Sequence, residues 1–340
     1  MINLVLIFAS AFILVLGATP IIRRIANRLG IVDQPDARRL HLMPVPLLGG
    51  VAIYAGFIIA LLVFGEGWVV SQAIGILVGA TIVSFLGIWD DRWGLRPLLK
   101  LLGQAVAASM LIISGIQVSF LPHPALNVAI TFIWILGITN ALNLLDNMDG
   151  LSGGVGAVAA GFFLLLAAWN GQYLVASLAA ALMGVCVGFL VYNFNPASIF
   201  MGDAGSMFLG FILAVVGIKL RFPGRPNIIT WMIPVVVLGL PIFDTTLVVF
   251  SRLRRGINPL TNPGQDHVSH RLVSLGLSHR QAVILLYGVC SALGLVGLLI
   301  MHSDVLQAYL LGTTVLVVGL ASLFALERVP LKGGHGGPRA

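Results

Sequence analysis

Runs of about 20 predominantly apolar residues recur from one end of this sequence to the other, each the length at which an α-helix crosses the hydrocarbon core of a bilayer. Few folds tolerate that pattern. Backbone in lipid must satisfy its own hydrogen bonds, and runs of this length do so as membrane-crossing helices. Only 9% of the 340 residues are charged, against roughly 25% in a soluble domain. The sequence therefore reads as an all-α polytopic membrane protein of about eleven transmembrane helices. The spans fall near residues 2–22, 48–65, 69–89, 98–116, 125–142, 150–169, 173–192, 206–220, 228–250, 282–301 and 305–326.

Charge supplies an orientation. If alternate loops are assigned to opposite sides, all of the 19 Lys and Arg except Lys219, Arg221 and Arg225 fall on one side. The positive-inside rule then places the N-terminus outside and the C-terminus in the cytoplasm. Nearly all the acids share the cytoplasmic side; Glu66 and Asp304 lie opposite, and Asp244 sits in the cytoplasmic half of the ninth span. The net charge of +7 thus reports topology and does not call for a nucleic-acid partner. Arg23 and Arg24 directly follow the first run with no small-residue cleavage signature, so that run reads as a retained helix. Cys186 and Cys290 lie inside apolar runs and read as packing residues.

Four polar clusters break this background. Residues 192–206 separate two apolar runs with Asn193, Asn195 and an isolated Asp203. A carboxylate at the mouth of a membrane helix is costly unless paired, hydrated or bound to a cation. Gly202 and Gly205 would let a ligand or a second backbone come close. The oxygen donors suit magnesium, an ordinary capping loop being the alternative. Asp90 and Asp91 end another span ten residues before Lys100. On a helix they point about 100° apart and so take different roles, holding a cation or handling a proton, unless they form a solvated helix end balanced by Arg92. Asn143, Asp146 and Asp149 are spaced by three and would share one helical face, suited to a ribose, a base edge or a metal, or to capping the next span. The largest polar loop, 251–281, carries Arg252, Arg254 and Arg255 and then Asp266-His267-Val268-Ser269-His270-Arg271, which fits a pyrophosphate. Zinc is disfavoured there for want of cysteines, His279 reads as a surface residue, and His123 lies on the outer side. In the first polar loop Arg38, Arg39 and His41 could meet lipid phosphate or merely set topology.

Taken in order from about Asp33 to Gln281, these clusters resemble the polyprenyl-phosphate N-acetylhexosamine-1-phosphate transferase family. The likeness is carried by Asp90-Asp91 with downstream Lys100, by the run Asn140-x-x-Asn143-x-x-Asp146-x-x-Asp149-Gly150, by Asn195-Pro196-Ala197-x-x-Phe200-Met201-Gly202-Asp203-x-Gly205-Ser206, and by Pro241 to Thr245 followed by the His-containing loop. The resemblance implies transfer of a sugar-1-phosphate, GlcNAc-1-phosphate being the expected group, from a UDP-sugar to polyprenyl (undecaprenyl) phosphate. UMP would leave and a lipid-linked diphosphosugar would remain, to initiate a cell-envelope glycan. It also implies a Mg2+ requirement, which Mn2+ could meet instead. Asp203 would be the principal metal ligand and Asn193 would lie near the phosphates. Asn143, Asp146, Asp149 and Phe200 would line the nucleotide site, Asp90 or Asp91 with Lys100 would assist the lipid phosphate, and His267, His270 and Arg255 would hold the diphosphate. Two departures stand out: His267-Val268-Ser269-His270 lacks one imidazole of the usual His-x-His-His, and Leu47 occupies a position where relatives often carry Arg.

The expected organisation is one transmembrane catalytic domain over residues 1–326, with active-site loops 23–47, 90–100, 143–150, 193–206 and 251–281 at the cytoplasmic face of the cell membrane. Residues 327–340 would form a disordered cytoplasmic tail. A muramoyl-pentapeptide-type donor is the alternative within the family. A secondary transporter or lipid flippase is the alternative outside it, disfavoured because the acids gather at one face and no internal repeat is visible. A homodimer is left open.

Overall fold

The computed structural model describes residues 2–33, 44–65, 69–259 and 264–330. Arg38, Arg39, His41 and the tail from Lys332 lie outside the described residues. Elsewhere the chain is nearly all helix: α1 (Ile2–Leu29), α2 (Gly49–Phe64), α3 (Val70–Trp93), α4 (Pro97–Ile113), α5 (Pro124–Leu145), α6 (Leu151–Trp169), α7 (Tyr173–Asn193), α8 (Gly202–Lys219), α9 (Asn227–Thr230), α10 (Met232–Val237), α11 (Gly239–Arg254), α12 (Val268–Ser274), α13 (His279–His302) and α14 (Val305–Glu327). A two-residue antiparallel ladder, β1 (Val32–Asp33) on β2 (Val45–Pro46), is the one addition to the all-α expectation among the described residues; Val32 faces Pro46.

Eight of these helices, α1, α3, α5, α6, α7, α8, α13 and α14, are long and apolar enough to cross a membrane. The helices α2 and α4 are apolar but shorter. The expected ninth span is not one helix: its two parts meet at a 72° bend. Pro234 and Pro241 bring no N–H to the helical ladder on either side of Leu238 and Gly239, which explains why the chain breaks there. Other ends follow local rules. Pro97 and Pro124 open α4 and α5, where a missing N–H costs nothing. Ser278 with Gln281 and Asp304 with Gln307 form capping boxes on α13 and α14.

The core is organised around α8, which packs on α2, α3, α5, α6 and α7. Every residue from Ala204 to Ile218 is buried, so this helix is apolar on all sides because all its sides are covered. Small residues let its first turn approach neighbouring backbones. A side chain at Gly50 would strike the backbone of Gly205, and one at Gly87 would strike that of Ala204. Several interior polar groups find partners, as burial in lipid favours: Asn140 Nδ2 donates to Gln104 Oε1 at 2.6 Å between α5 and α4, and Trp134 Nε1 donates to the Ala214 carbonyl at 3.0 Å. By contrast, α14 leaves Leu306, Leu310, Leu316, Val317, Val318 and Phe324 exposed, a surface suited to lipid and not to water.

The tail boundary needs correction. Glu327 is the last residue of α14, not the first of a disordered tail. Its carboxylate is nearly buried against Arg271 (2.8 Å) and Arg254 (3.1 Å), so the described fold continues past residue 326.

Candidate active site

The site forms where four chain segments end together: the C-terminus of α3, the N-terminus of α4, the C-terminus of α5 and the N-terminus of α8. Lys100, in the first turn of α4, reaches across all of them. Its Nζ pairs with Asp90 Oδ2 at 2.7 Å, donates to Asn143 Oδ1 at 3.3 Å and is in close contact with Asp203 Oδ2. Asn143 Nδ2 donates to the other Asp203 oxygen at 2.8 Å and to Ser206 Oγ at 2.9 Å. Asp203 is thus held between an ammonium and an amide and remains partly exposed.

The two adjacent aspartates divide their work as the helical 100° offset requires. Asp91 turns to α8 and accepts the backbone N–H of Asp203 at 2.9 Å and of Ala204 at 3.3 Å. Those amides have no partner inside their own helix, so Asp91 serves as the cap of a neighbouring helix and fixes where Asp203 stands. The positive φ of Gly202 and its contact with the Asp91 carboxylate leave no room for a side chain there. Asp90 faces Lys100 and accepts the Leu95 N–H at 2.5 Å, which closes the turn between α3 and α4.

The second acidic pair divides as well. Asp149 Oδ2 accepts Asn195 Nδ2 and the Ala197 N–H, both at 3.0 Å, pinning the loop that leads into α8. Asn193 is buried with both ends of its amide engaged: Gly150 N donates to Oδ1 at 3.1 Å and Nδ2 donates to the Ile199 carbonyl at 3.0 Å. Asn193 thus holds this loop, joining the turn before α6 to the chain that leads into α8. Phe200 docks its backbone between the segments, its N–H on the Pro46 carbonyl at 2.8 Å and its carbonyl accepting Gly49 N–H at 3.0 Å. That docking holds Leu48, just before α2, at a φ of 79°. Leucine rarely adopts this conformation without surrounding support.

Asp146 is different. It is half-buried at the turn after α5, and its carboxylate accepts no hydrogen bond from the described residues. Burial, together with the nearby Asp203, Asp91 and Asp149 carboxylates, pushes its acid well above the usual carboxylate range. Of the five aspartates gathered at this end, Lys100 meets only Asp90 and Asp203, and no described donor meets Asp146. This donor set fits a divalent cation in composition: an excess of hard oxygen ligands, one of them without a protein donor. Among the described residues no three such groups are spaced to enclose an ion, and Lys100 Nζ takes the central place.

The histidine loop forms a second, adjoining layer. Asp266 is gripped by Arg252 through two 2.9 Å bonds and by Arg255 at 2.7 Å. Burial alone would raise its acid, but the Arg252 guanidinium holds it down to about 2. Arg255 thus has a protein partner, whereas a phosphate contact was expected of it. His267 Nδ1 lies 2.8 Å from Asp244 Oδ2, and the His270 ring centre is 6.2 Å from that of His267. Ser269 Oγ donates to Asn147 Oδ1 at 2.6 Å, joining this loop to the turn that carries Asp146. Burial and the neighbouring His267 lower His270 to about 4.

Sequence reasoning read Arg252, Asp266 and Arg271 only as members of a pyrophosphate-binding loop and Asp244 and Ser206 only as parts of motifs, and it gave Glu327 no role. A signal existed for one of them: Asp244 is a charge inside an apolar span, which needs a partner. The rest are partners that only the folded chain identifies.

These features define a polytopic membrane protein with a buried acidic, lysine-bridged site at one end of its helices. The Glycosyl transferase family 4 model matches residues 73–221, a stretch that contains Asp90, Asp91, Lys100, Asn143, Asp146, Asp149 and Asp203. The chain is 38% identical, over 84% of its length and 82% of the relative's, to a Bacillus subtilis (strain 168) protein described as a probable undecaprenyl-phosphate N-acetylglucosaminyl 1-phosphate transferase. It is 32% identical to the decaprenyl-phosphate N-acetylglucosaminephosphotransferase of Mycobacterium tuberculosis (strain CDC 1551 / Oshkosh), covering 96% and 90% of the two chains. It is 27% identical to the undecaprenyl-phosphate alpha-N-acetylglucosaminyl 1-phosphate transferase of Escherichia coli (strain K12), covering 83% and 79%. The chain belongs to glycosyl transferase family 4.

Proposed function

We propose that this protein transfers GlcNAc-1-phosphate from UDP-GlcNAc to a polyprenyl phosphate, releasing UMP and leaving a lipid-linked diphosphosugar that initiates a cell-envelope glycan. One observation carries the reading: Asp90, Lys100, Asn143 and Asp203, from four separate segments, meet around one ammonium in a chain whose relatives bear that activity in their names. The site opens to the cytoplasm under the positive-inside orientation, with α2, α4 and the bent α9–α11 segment counted as spans to give eleven, an outer N-terminus and a cytoplasmic C-terminus.

The chemistry follows from charge. A phosphate monoester has a second pKa near ~6 and is largely dianionic at neutral pH, so the acceptor lipid is already a nucleophile. Its oxygen attacks the sugar-bearing phosphorus, and the bond from that phosphorus to the UMP oxygen breaks. Repulsion between the two anions is the obstacle, and the reaction is mainly a matter of positioning and electrostatics. Lys100 supplies one positive charge where the phosphates meet, and Asp90 sets the Lys100 position and takes any residual proton from the lipid phosphate. Asp203 and Asp146, with Asn143, would hold Mg2+ (or Mn2+), which when bound supplies the further charge needed by the diphosphate and the departing UMP. His267 and His270 flank the diphosphate. A direct displacement is favoured over a covalent aspartyl intermediate because both Asp91 oxygens are occupied by backbone amides and Asp90 is paired with Lys100.

The test is UMP release by purified protein in detergent with undecaprenyl phosphate, magnesium and individual UDP-sugars. Release with UDP-GlcNAc, abolished by EDTA and by Asp203→Ala at normal expression, is expected. Turnover only with a muramoyl-pentapeptide donor would move the substrate. Full activity of Asp203→Ala would remove the cluster from the chemistry.

A further inference from the structure

Asp244 is a titratable group that the reaction above does not use. Its side chain is fully buried on α11, where an uncompensated carboxylate would be prohibitively costly. Both oxygens are occupied from one direction, by consecutive residues of the histidine loop. Oδ2 lies 2.8 Å from His267 Nδ1, and Oδ1 accepts the Val268 N–H at 2.7 Å.

That loop is already tied down on either side. Asp266 is held by Arg252 and Arg255, and Ser269 is bonded to Asn147. A backbone N–H bond to Asp244 would add a further anchor without any imidazole. The bond to Nδ1 does something the others cannot. An ionised carboxylate only accepts, so Nδ1 carries the proton, the ring is fixed in plane, and Nε2 becomes the nitrogen available to a ligand. His267 Nε2 has no hydrogen-bond partner among the described residues.

We infer that Asp244 is a positioning residue which, through Nδ1 of His267, presents the Nε2 of that ring to the diphosphate of the donor sugar. The inference rests on the sugar-phosphate transfer proposed above. Toward an anionic oxygen Nε2 can only donate, and with Nδ1 also donating the ring is then an imidazolium whose counter-charge is the Asp244 carboxylate. A carboxylate therefore suits this position better than a neutral acceptor of the same shape. Asparagine at 244 would keep the volume but offer one acceptor to two N–H donors and no charge.

The experiment compares wild type, Asp244→Asn, His267→Gln and the double variant for UMP release from UDP-GlcNAc and for binding of uridine, which lacks the phosphates. Asp244→Asn is expected to raise KM for UDP-GlcNAc on the order of 10-fold, as for the loss of one charge-assisted contact, while uridine affinity stays unchanged. His267→Gln should match that loss, and the double variant should be no worse than His267→Gln, because the two residues act as one unit. Equal weakening of uridine and UDP-GlcNAc, additive losses in the double variant, or a wild-type KM in Asp244→Asn would each reduce Asp244 to a loop anchor. Should Asp244→Asn not fold, a wild-type KM in His267→Gln would overturn the inference, and a raised KM with unchanged uridine affinity would support it. A wild-type protein that releases no UMP from UDP-GlcNAc would defeat the reaction assignment itself, and this inference with it.

Discussion

Lys100 is the residue on which the site turns. Its ammonium stands among Asp90, Asn143 and Asp203 in the place a bound cation would otherwise neutralise. Lys100→Met keeps the stem and removes the charge, leaving Asp90 and Asp203 facing each other. Breaking a fully buried pair costs about 3–5 kcal/mol, and the partial exposure of Asp203 brings the expected loss down to about 1–3 kcal/mol. A divalent cation drawn to the vacated carboxylates should then restore stability. In thermal unfolding of the detergent-solubilised protein, the variant should melt below wild type in EDTA and gain more than wild type from magnesium chloride. An equal gain in both would separate the metal from this cluster. The aspartates beside it show what a sequence can and cannot convey at this scale. The adjacency of Asp90 and Asp91 implied two roles, because neighbouring helical side chains diverge. Which one caps α8 and which meets Lys100 depended on the approach of α8 to α3 at Gly87, a contact between residues more than a hundred positions apart.

At the scale of elements, α12 and the chain leading into it form a polar insertion held by buried charge. Arg271 is buried and bonds to Ser251 Oγ, the Leu326 carbonyl and Glu327, so this short helix clasps α11 and the end of α14 together. The pH response of this region follows from two groups. His270 titrates at about 4 in the folded protein and near ~6.5 when unfolded, so below ~6.5 the unfolded chain takes up a proton that the folded chain refuses. Its contribution to stability is therefore complete above ~6.5 and declines as the pH falls toward 4. The stability that Asp266 brings is lost only at more acid pH, as the pH falls from about 3.8 to about 2. Through His270 the melting temperature should thus decline between pH 7 and 5, against the opposite pull of the raised Asp146 acid, and His270→Gln should remove that part of the decline. A variant that declines as steeply as wild type would show that His270 is not held neutral in the fold. None of this was legible beforehand. The loop read as a set of basic groups and imidazoles free for a ligand, because sequence shows charges but not which of them spend themselves on each other: Arg255 on Asp266, Arg271 on Glu327. The helices themselves were readable, since apolar length and Pro97, Pro124 and Ser278 mark their ends. The break at Leu238 was missed although Pro234 and Pro241 flank it, because the run was read for apolar length alone.

At the scale of the whole molecule, one axis organises both stability and chemistry. The buried α8 runs from Asp203 at the site to Lys219 at the other end, and its neighbours bring every acid of the site to the same end. The opposite end carries Lys219, Arg221 and Arg225, whose bonds to Gln72, to Gln172 and to the Ser303 carbonyl tie helix ends together. With so few cations at that end and the other described Lys and Arg at or near the site end, the orientation proposed above puts the site inside. Labelling can decide this, because the two native cysteines, Cys186 and Cys290, are both buried and should stay silent. A cysteine introduced by His123→Cys, at an exposed position on the end away from the site, should react with a membrane-impermeant maleimide on intact cells. One introduced by Leu275→Cys, exposed just after α12 at the site end, should react only once the membrane is opened. The reverse pattern would turn the molecule over and place the acidic cluster outside, where a cytoplasmic nucleotide sugar could not reach it. Orientation and reaction would then fall together, which makes this labelling a test of the function as much as of the topology.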